Sequence, residues 1–481
     1  MRMGMQGSGS LEKFFLFSAG SMRTILAPIT SNFIVRSFLR TDSLRILAAA
    51  GARLVFLAPE GKVDYYRSEF PGEHIVFDIL PPYGATRRER WWRFIEIVSI
   101  HTRTTAIMQR SELYRRGSQE NFPMRLAWFL VKSIFRQCGR FHLWRACIRK
   151  GYGYAPSDRR VVTLFDRYRP DLVYAPTLLP ADMAILKEAK KRGIATAGMV
   201  LSWDNLYSKT MLRVHPDILL AHTDSIKRQA QILGDYPAAR IRVVGIPQYD
   251  NYFQKKDIMP RDQFIRSLGG DPAKKLIVYA LSGKSGLAIE YGVIEGLWRM
   301  RETGRIPTHR DAEVLVRPYP RFDLPAGVRE RIKNQYGFLA PPAMARVGTG
   351  KDGWEFDAQA MRLLANTLAH ADVIITMYST FFIEGAVFDR PLVGIAFDGG
   401  PARDFWNSAK RFFAWDHLAE IKPLGGIRLV ESEEALADAI NEYLTHPERD
   451  REGRAAIVAQ QCTVTDGRAG ERVAQILLDD L

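Results

Sequence analysis

The sequence predicts an α/β protein made of two parallel-sheet domains facing each other across a cleft, with a basic helical insert in the first. Three observations predict it. Short apolar, β-branched runs alternate with helical patterns along most of the chain. The alternation halts at a polar stretch after residue 250 and then starts again. At 481 residues the chain is also long for a single core,. Its 47% hydrophobic and 25% charged residues are those of a globular protein rather than a disordered one,.

Residues 1–21 carry no pattern, and the apolar Phe14 to Phe17 is too short for a signal peptide, so we expect a disordered extension with the natural start at Met22. From there a strand, Thr24 to Pro28, leads through the polar loop Thr30-Ser31-Asn32 into a helix from Val35 to Ala50 and a strand from Leu54 to Ala58. The loop lies at a strand's carboxyl end, where open sheets bind ligands, which makes Asn32 a candidate site residue. It holds none of the glycines of a dinucleotide fingerprint, so NAD and FAD are not supported.

Pro81 to Arg160, about a sixth of the chain, breaks the alternation. It has 17 Lys and Arg against 5 Asp and Glu, a net +12 of the overall +15, and four of the nine tryptophans. RRERWWRFIEIVSI and MRLAWFLVKSIFRQCGRFHLWRACIRK read as amphipathic basic helices suited to an anionic membrane surface. Nucleic acid would use the same residue types, but no RNP, KH or helix-turn-helix pattern is present, and no nucleic-acid partner is expected. A helical subdomain with a solvated basic face is the alternative. No apolar run approaches the roughly 18 residues of a spanning helix. Cys138, Cys147 and Cys462 are too few and too scattered for a disulfide framework or metal cluster, which fits a reducing cytoplasm.

The sheet pattern resumes with strand Asp171 to Ala175, helix Pro180 to Arg192 and strand Ile194 to Leu201. The loop SWDNLYSKT follows, Ser202 to Thr210. Trp203, Asp204, Asn205 and Lys209 together are unusual for a connector; Asp204 is a candidate general base and Lys209 a candidate anion contact, unless Asp and Asn merely cap the next helix. Strand Ile218 to Ala221, helix Ser225 to Leu233 and strand Ile241 to Val244 end a first domain over 22–250, its insert at about 81–165. Residues 251–260 read as a linker.

A second domain over 261–460 opens with strand Leu276 to Leu281 and the loop Ser282-Gly283-Lys284-Ser285-Gly286, a plausible phosphate cradle that is not a Walker A loop. Helix Leu287 to Arg301 follows. Strand Glu313 to Val316 ends in Arg317-Pro318-Tyr319-Pro320-Arg321, where Arg317 can pair with a diphosphate. Helix Trp354 to Ala369 precedes ADVIITMYSTFFIEGAVFDRPLVGIAFD: a buried strand Val373 to Thr376, a helix capped by Ser379 or Thr380 with Glu384 one turn in, and a strand Leu392 to Phe397 ending at Asp398. A strand feeding a helix N-terminus favours a bound anion. Short elements at His417 to Ile421 and Ile427 to Val430, a helix Ser432 to Leu444 and a terminal helix within 461–481 complete the chain.

Two Rossmann-like domains so arranged resemble the GT-B glycosyltransferase architecture. ADVIITMYSTFFIEGAVFDRPLVGIAFD, VLVRPYPRF and TDGRAGER resemble stretches of the CDP-glycerol glycerophosphotransferase family; the UDP-N-acetylglucosamine 2-epimerases share the architecture more distantly. Tyr378, Ser379, Thr380 and Asp398 match the family pattern, whereas Met377 and Tyr319 stand where the family has Asp and His. The resemblance implies a transferase that moves a sugar from a nucleotide-activated donor to a surface-glycan or lipid-linked acceptor, and the basic aromatic block would dock it on the inner, cytoplasmic membrane face. The donor would lie on Ser282, Gly283, Lys284, Ser285, Arg317, Tyr378, Ser379, Thr380, Glu384 and Asp398, with Glu384 on a ribose hydroxyl. The acceptor would enter over Asn32 and Asp204, with no cofactor and no essential metal. A CDP-glycerol-type transfer, a nucleotide-sugar epimerase and a non-catalytic glycan- or lipid-binding relative are the alternatives.

Overall fold

Seven short runs, the central ones apolar on both faces and the edge ones only partly so, pair in parallel to build the first sheet,. In the computed structural model, which describes residues 22–82, 86–115, 121–283, 286–319, 324–341, 345–347 and 353–479, these are β1 (Thr24–Pro28), β2 (Arg53–Ala58), β3 (Ile75–Ile79), β4 (Leu172–Ala175), β5 (Ala195–Met199), β6 (Ile218–Ala221) and β7 (Ile241–Val243). Their order is β3-β2-β1-β4-β5-β6-β7, every pair parallel. The strand order reverses between β1 and β4, which opens a crevice at the carboxyl ends. β3 is an addition to the sequence reading: as an edge strand it is only half-buried, and Asp78 interrupts its apolar run. The helix expected over Val35 to Ala50 is broken. A π-helical turn, Val35–Leu39, is followed by a separate helix, Asp42–Ala49, because the Thr41 side chain accepts from the Ser43 amide and starts a new N-terminus,.

The second domain repeats the plan. β8 (Lys275–Ala280) and β9 (Ala312–Arg317) lead to a small antiparallel hairpin, β10 (Ala345–Arg346) with β11 (Trp354–Glu355). Then come β12 (Val373–Thr376), β13 (Leu392–Ile395) and β14 (Arg428–Val430). The main sheet has the order β14-β13-β12-β8-β9, all parallel. The helix expected from Trp354 starts only at Ala358, where Asp357 caps the Ala360 amide. Trp354 and Phe356 instead pack against Phe33 of the first domain, ring centroids 5.5 Å away in each case.

The chain crosses between the domains twice. The first crossing leaves β7 through a 3-10 turn, Pro247–Tyr249, and a short half-buried helix, Asp250–Phe253. The second follows the Arg451–Cys462 helix and returns the terminal helix, Ala469–Asp479, to the first domain, where Val473 and Leu477 share a core with Leu44 and Leu47. Asp250 joins the crossings by accepting from the Ala469 and Gly470 amides at 3.0 and 2.8 Å.

Four helices form the insert: Arg87–Val98, Arg103–Leu113, Phe122–Cys138 and His142–Tyr154. Glu96 pairs with Arg213 at 2.8 Å, both side chains fully buried, and Glu89 pairs with Lys187 at 3.2 Å. These ion pairs fix the first helix to the sheet domain, so that segment faces inward through Glu89, Ile95, Glu96 and Val98. The Phe122–Cys138 helix differs, with no buried residue at all. Among the described residues no helix is long and apolar enough to cross a membrane.

Candidate functional site

The loop after β5 meets the second domain directly. Ser202 to Thr210 contains one helical turn, Asn205–Ser208, but Asp204 does not cap it. Its Oδ2 instead pairs with Lys209 Nζ at 2.7 Å. Burial would raise this carboxyl; Lys209, and after it His417, outweigh burial and hold it down to about 2,. Asp204 at rest is thus an ionised, weak base. Asn205 is buried, and its carbonyl accepts from the Lys209 and Thr210 amides. Insert residues brace the loop from behind: Thr102 donates to the Tyr207 carbonyl at 2.7 Å, and Glu96 accepts from Thr210 Oγ1 at 3.0 Å.

Trp203 stands edge-on to His417 of the second domain, centroids 4.7 Å apart. His417 lies on a short helix, Asp416–Ile421, that docks against the first domain. There Asp416 accepts from the Thr104 amide and hydroxyl at 2.6 and 2.7 Å, and Glu420 accepts from Tyr207 and Ser225 hydroxyls. Burial pushes the imidazole down to about 4, with Asp204 opposing the shift, so the ring is neutral at pH 7. His417 carries no local signal in the sequence that marks it as a site residue. Its neighbourhood with Trp203 and Asp204 arises only from domain docking.

On the opposite wall Arg317 ends β9 and is 7% exposed, its guanidinium carbon 5.2 Å from the Phe381 ring centroid. Its Nε has no hydrogen-bond partner among the described residues, and burial lowers its pKa to about 10 against the pull of Glu384. Glu384, expected on a ribose, is paired across the domains with Arg36 at 2.8 Å and also accepts from Tyr252 and Thr380 hydroxyls at 2.9 and 3.0 Å. Burial alone would lower Arg36; Glu384, Tyr252 and Tyr249 raise it instead.

The cradle residues divide. Ser282 Oγ donates to Glu290 Oε1 at 3.0 Å and accepts from the Met377 and Tyr378 amides at 3.2 and 3.1 Å, so it staples the loop after β8 to the end of β12. Gly283 has φ +126°, backbone that a side chain rarely adopts, and a Cβ there would sit 3.8 Å from both Tyr319 and the Tyr378 hydroxyl,. Lys284 and Ser285, like Pro320 and Arg321, lie outside the described residues. Tyr378 stacks on Phe412 at 4.0 Å. Ser379 Oγ accepts from the Phe381 amide, and Thr380 precedes the Phe381–Val387 helix without capping it. Asp398 orders the following loop by accepting from Arg403 and Ala409 amides at 3.0 and 2.9 Å. Tyr319 lies within electrostatic reach of Lys209 across the cleft.

Asn32 is set apart from the loop after β5. Its Nδ2 donates to the Trp354 carbonyl at 2.5 Å and its Oδ1 accepts from Lys62 at 2.9 Å. Lys62 pairs with Glu355 at 3.1 Å, so Asn32 stands in an interdomain strut. The structure thus brings Trp203, Asp204 and Lys209 toward Tyr319 and His417, and places Arg317 with Glu384 and Arg36.

Residues 305–479 match the model of the CDP-glycerol:poly(glycerophosphate) glycerophosphotransferase family, so the second domain carries the sequence signature that its motifs resemble. No curated protein sequence matches. Among solved structures, one from Listeria monocytogenes assigned as a UDP-N-acetylglucosamine 2-epimerase is 13% identical with a TM-score of 0.55, covering 96% of this chain and 97% of its own. S. aureus MnaA, solved with UDP, is 10% identical with a TM-score of 0.53, covering 95% and 96%. The Neisseria meningitidis UDP-GlcNAc 2-epimerase bound to UDP-GlcNAc is 12% identical with a TM-score of 0.52, covering 95% and 100%. At these identities the likeness is one of fold, the two-domain GT-B arrangement.

Proposed function

We propose that this chain, a transferase with the glycerophosphotransferase signature in its second domain, moves a sugar from a nucleotide-activated donor to a glycan or lipid-linked acceptor of the cell envelope. One observation carries the proposal: Arg317, a buried cation at a strand's carboxyl end with an unpartnered Nε. Two buried arginines, Arg36 and Arg317, share one carboxylate, Glu384. A surplus positive charge in a desolvated wall favours an anionic ligand, and a guanidinium matches a phosphate's paired oxygens. The donor diphosphate would lie between Arg317 and the loops of Gly283 and Tyr378 to Thr380. Glu384 reaches a ribose hydroxyl only by giving up Arg36. The departing nucleotide's charge is met by these fixed groups, so the proposal requires no metal. The acceptor enters over the Trp203 to Lys209 loop.

A second reading, transfer of glycerophosphate from a CDP-linked donor, is favoured by the family match over residues 305–479. A thermal-shift panel of nucleoside diphosphates and their sugar or alditol conjugates tests both, because a ligand that binds only the folded state raises its melting point. UDP- or other sugar-nucleotide stabilisation with turnover supports the first; CDP-glycerol turnover supports the second. Stabilisation by none removes the donor site.

We place the enzyme on the cytoplasmic face of an anionic membrane through its insert. Leu130, Ile134 and Leu143 are 53%, 64% and 76% exposed on or beside the unburied Phe122–Cys138 helix, within the segment of net charge +12. That combination supports interfacial docking. Flotation with liposomes that shows no preference for anionic lipid would remove the placement.

A further inference from the structure

We propose that the acceptor's proton is taken by His417, an imidazole delivered by the second domain to the acceptor loop of the first, with Asp204 as the positioning residue that tunes it. The inference rests on the transferase reading. Trp203 and Trp415 flank the ring at centroid distances of 4.7 and 5.9 Å, and its Nδ1 is buried with no hydrogen-bond partner among the described residues. A buried polar atom left bare costs free energy, which a substrate hydroxyl would relieve on binding. The charged groups facing the ring are Asp204 and Lys209 from the loop after β5 and Asp416 from its own helix. Lys209 is taken up by Asp204 and Asp416 by Thr104. Asp204 Oδ1 is likewise buried without a partner among the described residues, but that carboxylate is already engaged by Lys209 at 2.7 Å, whereas the ring has no such counterion; the lower pKa of the carboxyl agrees. An anionic donor entering the cleft adds negative charge and moves the ring further up, toward a useful basicity.

The step balances. The acceptor oxygen forms its bond to the donor's electrophilic centre while its proton passes to the imidazole. The bond from that centre to the nucleotide breaks, and its electron pair leaves on a phosphate oxygen facing Arg317. The imidazolium returns its proton to solvent. Because His417 and Asp204 belong to different domains, the pair exists only in the docked arrangement.

The test uses H417Q, H417A and D204N in the full chain. H417Q is expected to melt and bind nucleotide as the parent does while losing about 10²–10⁴-fold in kcat, and added imidazole is expected to restore part of the turnover of H417A. Asp204 holds the ring's pKa up, so D204N is expected to lower kcat and shift the acid limb of its pH profile to lower pH. H417Q turnover within twofold of the parent, with the acid limb unmoved, overturns the proposal. If the parent transfers from no nucleotide donor, the transferase reading itself fails. The pairing then stands or falls on an NMR titration of labelled histidines: the His417 midpoint moves down in D204N if the two are coupled, and an unchanged midpoint overturns it.

Discussion

Glu384→Gln and Arg36→Met break the same buried ion pair from its two ends, and the surroundings predict unequal losses. The side chains are 2% and 8% exposed. Removing one partner of such a pair costs about 3–5 kcal/mol, because the survivor keeps its charge without a counterion. After Arg36→Met, Glu384 still accepts from Tyr252 and Thr380 and still feels Arg317, so a loss near ~3 kcal/mol is expected. After Glu384→Gln, Arg36 and Arg317 are left as two buried cations without their shared carboxylate, so the loss should approach ~5 kcal/mol. The double variant should recover some ~1–3 kcal/mol of the summed losses, since the residues touch. Urea unfolding without ligand measures all three, and calorimetry measures nucleotide affinity in the same proteins. The reasoning is refuted if Glu384→Gln leaves unliganded stability within ~0.5 kcal/mol, the range of an ordinary surface change, while weakening nucleotide binding. Glu384 would then serve the ribose and not the domain junction.

Glu290 sits at the donor wall with its pKa raised by burial to about 7. A carboxyl whose folded pKa exceeds the unfolded value near ~4.3 makes the protein most stable below that value. Stability then declines by about 3 kcal/mol as pH rises to 7, and is flat above. Glu290→Gln keeps an acceptor for Ser282 and should abolish that slope, raising the urea midpoint at pH 8; a parent-like pH dependence contradicts it. Leu130→Asp with Ile134→Asp should abolish flotation with anionic liposomes while leaving the melting temperature unchanged, since neither side chain is buried. A chelator should leave turnover of the preferred donor unchanged, and loss of activity restored by a divalent cation would defeat the metal-independent reading.

The strands most legible in the sequence are the central ones, such as Val373–Thr376, where burial on both faces selects an unbroken apolar run,. β3 was hidden because an edge position admits Asp78 and half-exposed neighbours. Trp354 and Glu355 suit a helix start as well as a strand by residue type; the hairpin pairing that decides it is a tertiary contact. The loop after β5 announced itself through unusual composition. Local sequence could not show that Lys209 would occupy Asp204, that Ser282 would bind Glu290 rather than remain open to a ligand, or that Glu384 would find Arg36, 348 positions away. The first two are set by how a loop and a following helix fold back on themselves; the third, like the placing of His417 beside Trp203, is made only when distant elements dock.

The paired crossings limit how the cleft can work. Asp250 on the outgoing pass holds the amides of Ala469 and Gly470 on the return, and Gln254 donates to the Gly467 carbonyl beside them. Two straps fastened to each other restrain the junction more than two independent linkers would, because sliding or twisting one domain on the other strains both at once. The edge-on contact of His417 with Trp203, centroids 4.7 Å apart, thus depends on a junction tied at two points rather than one.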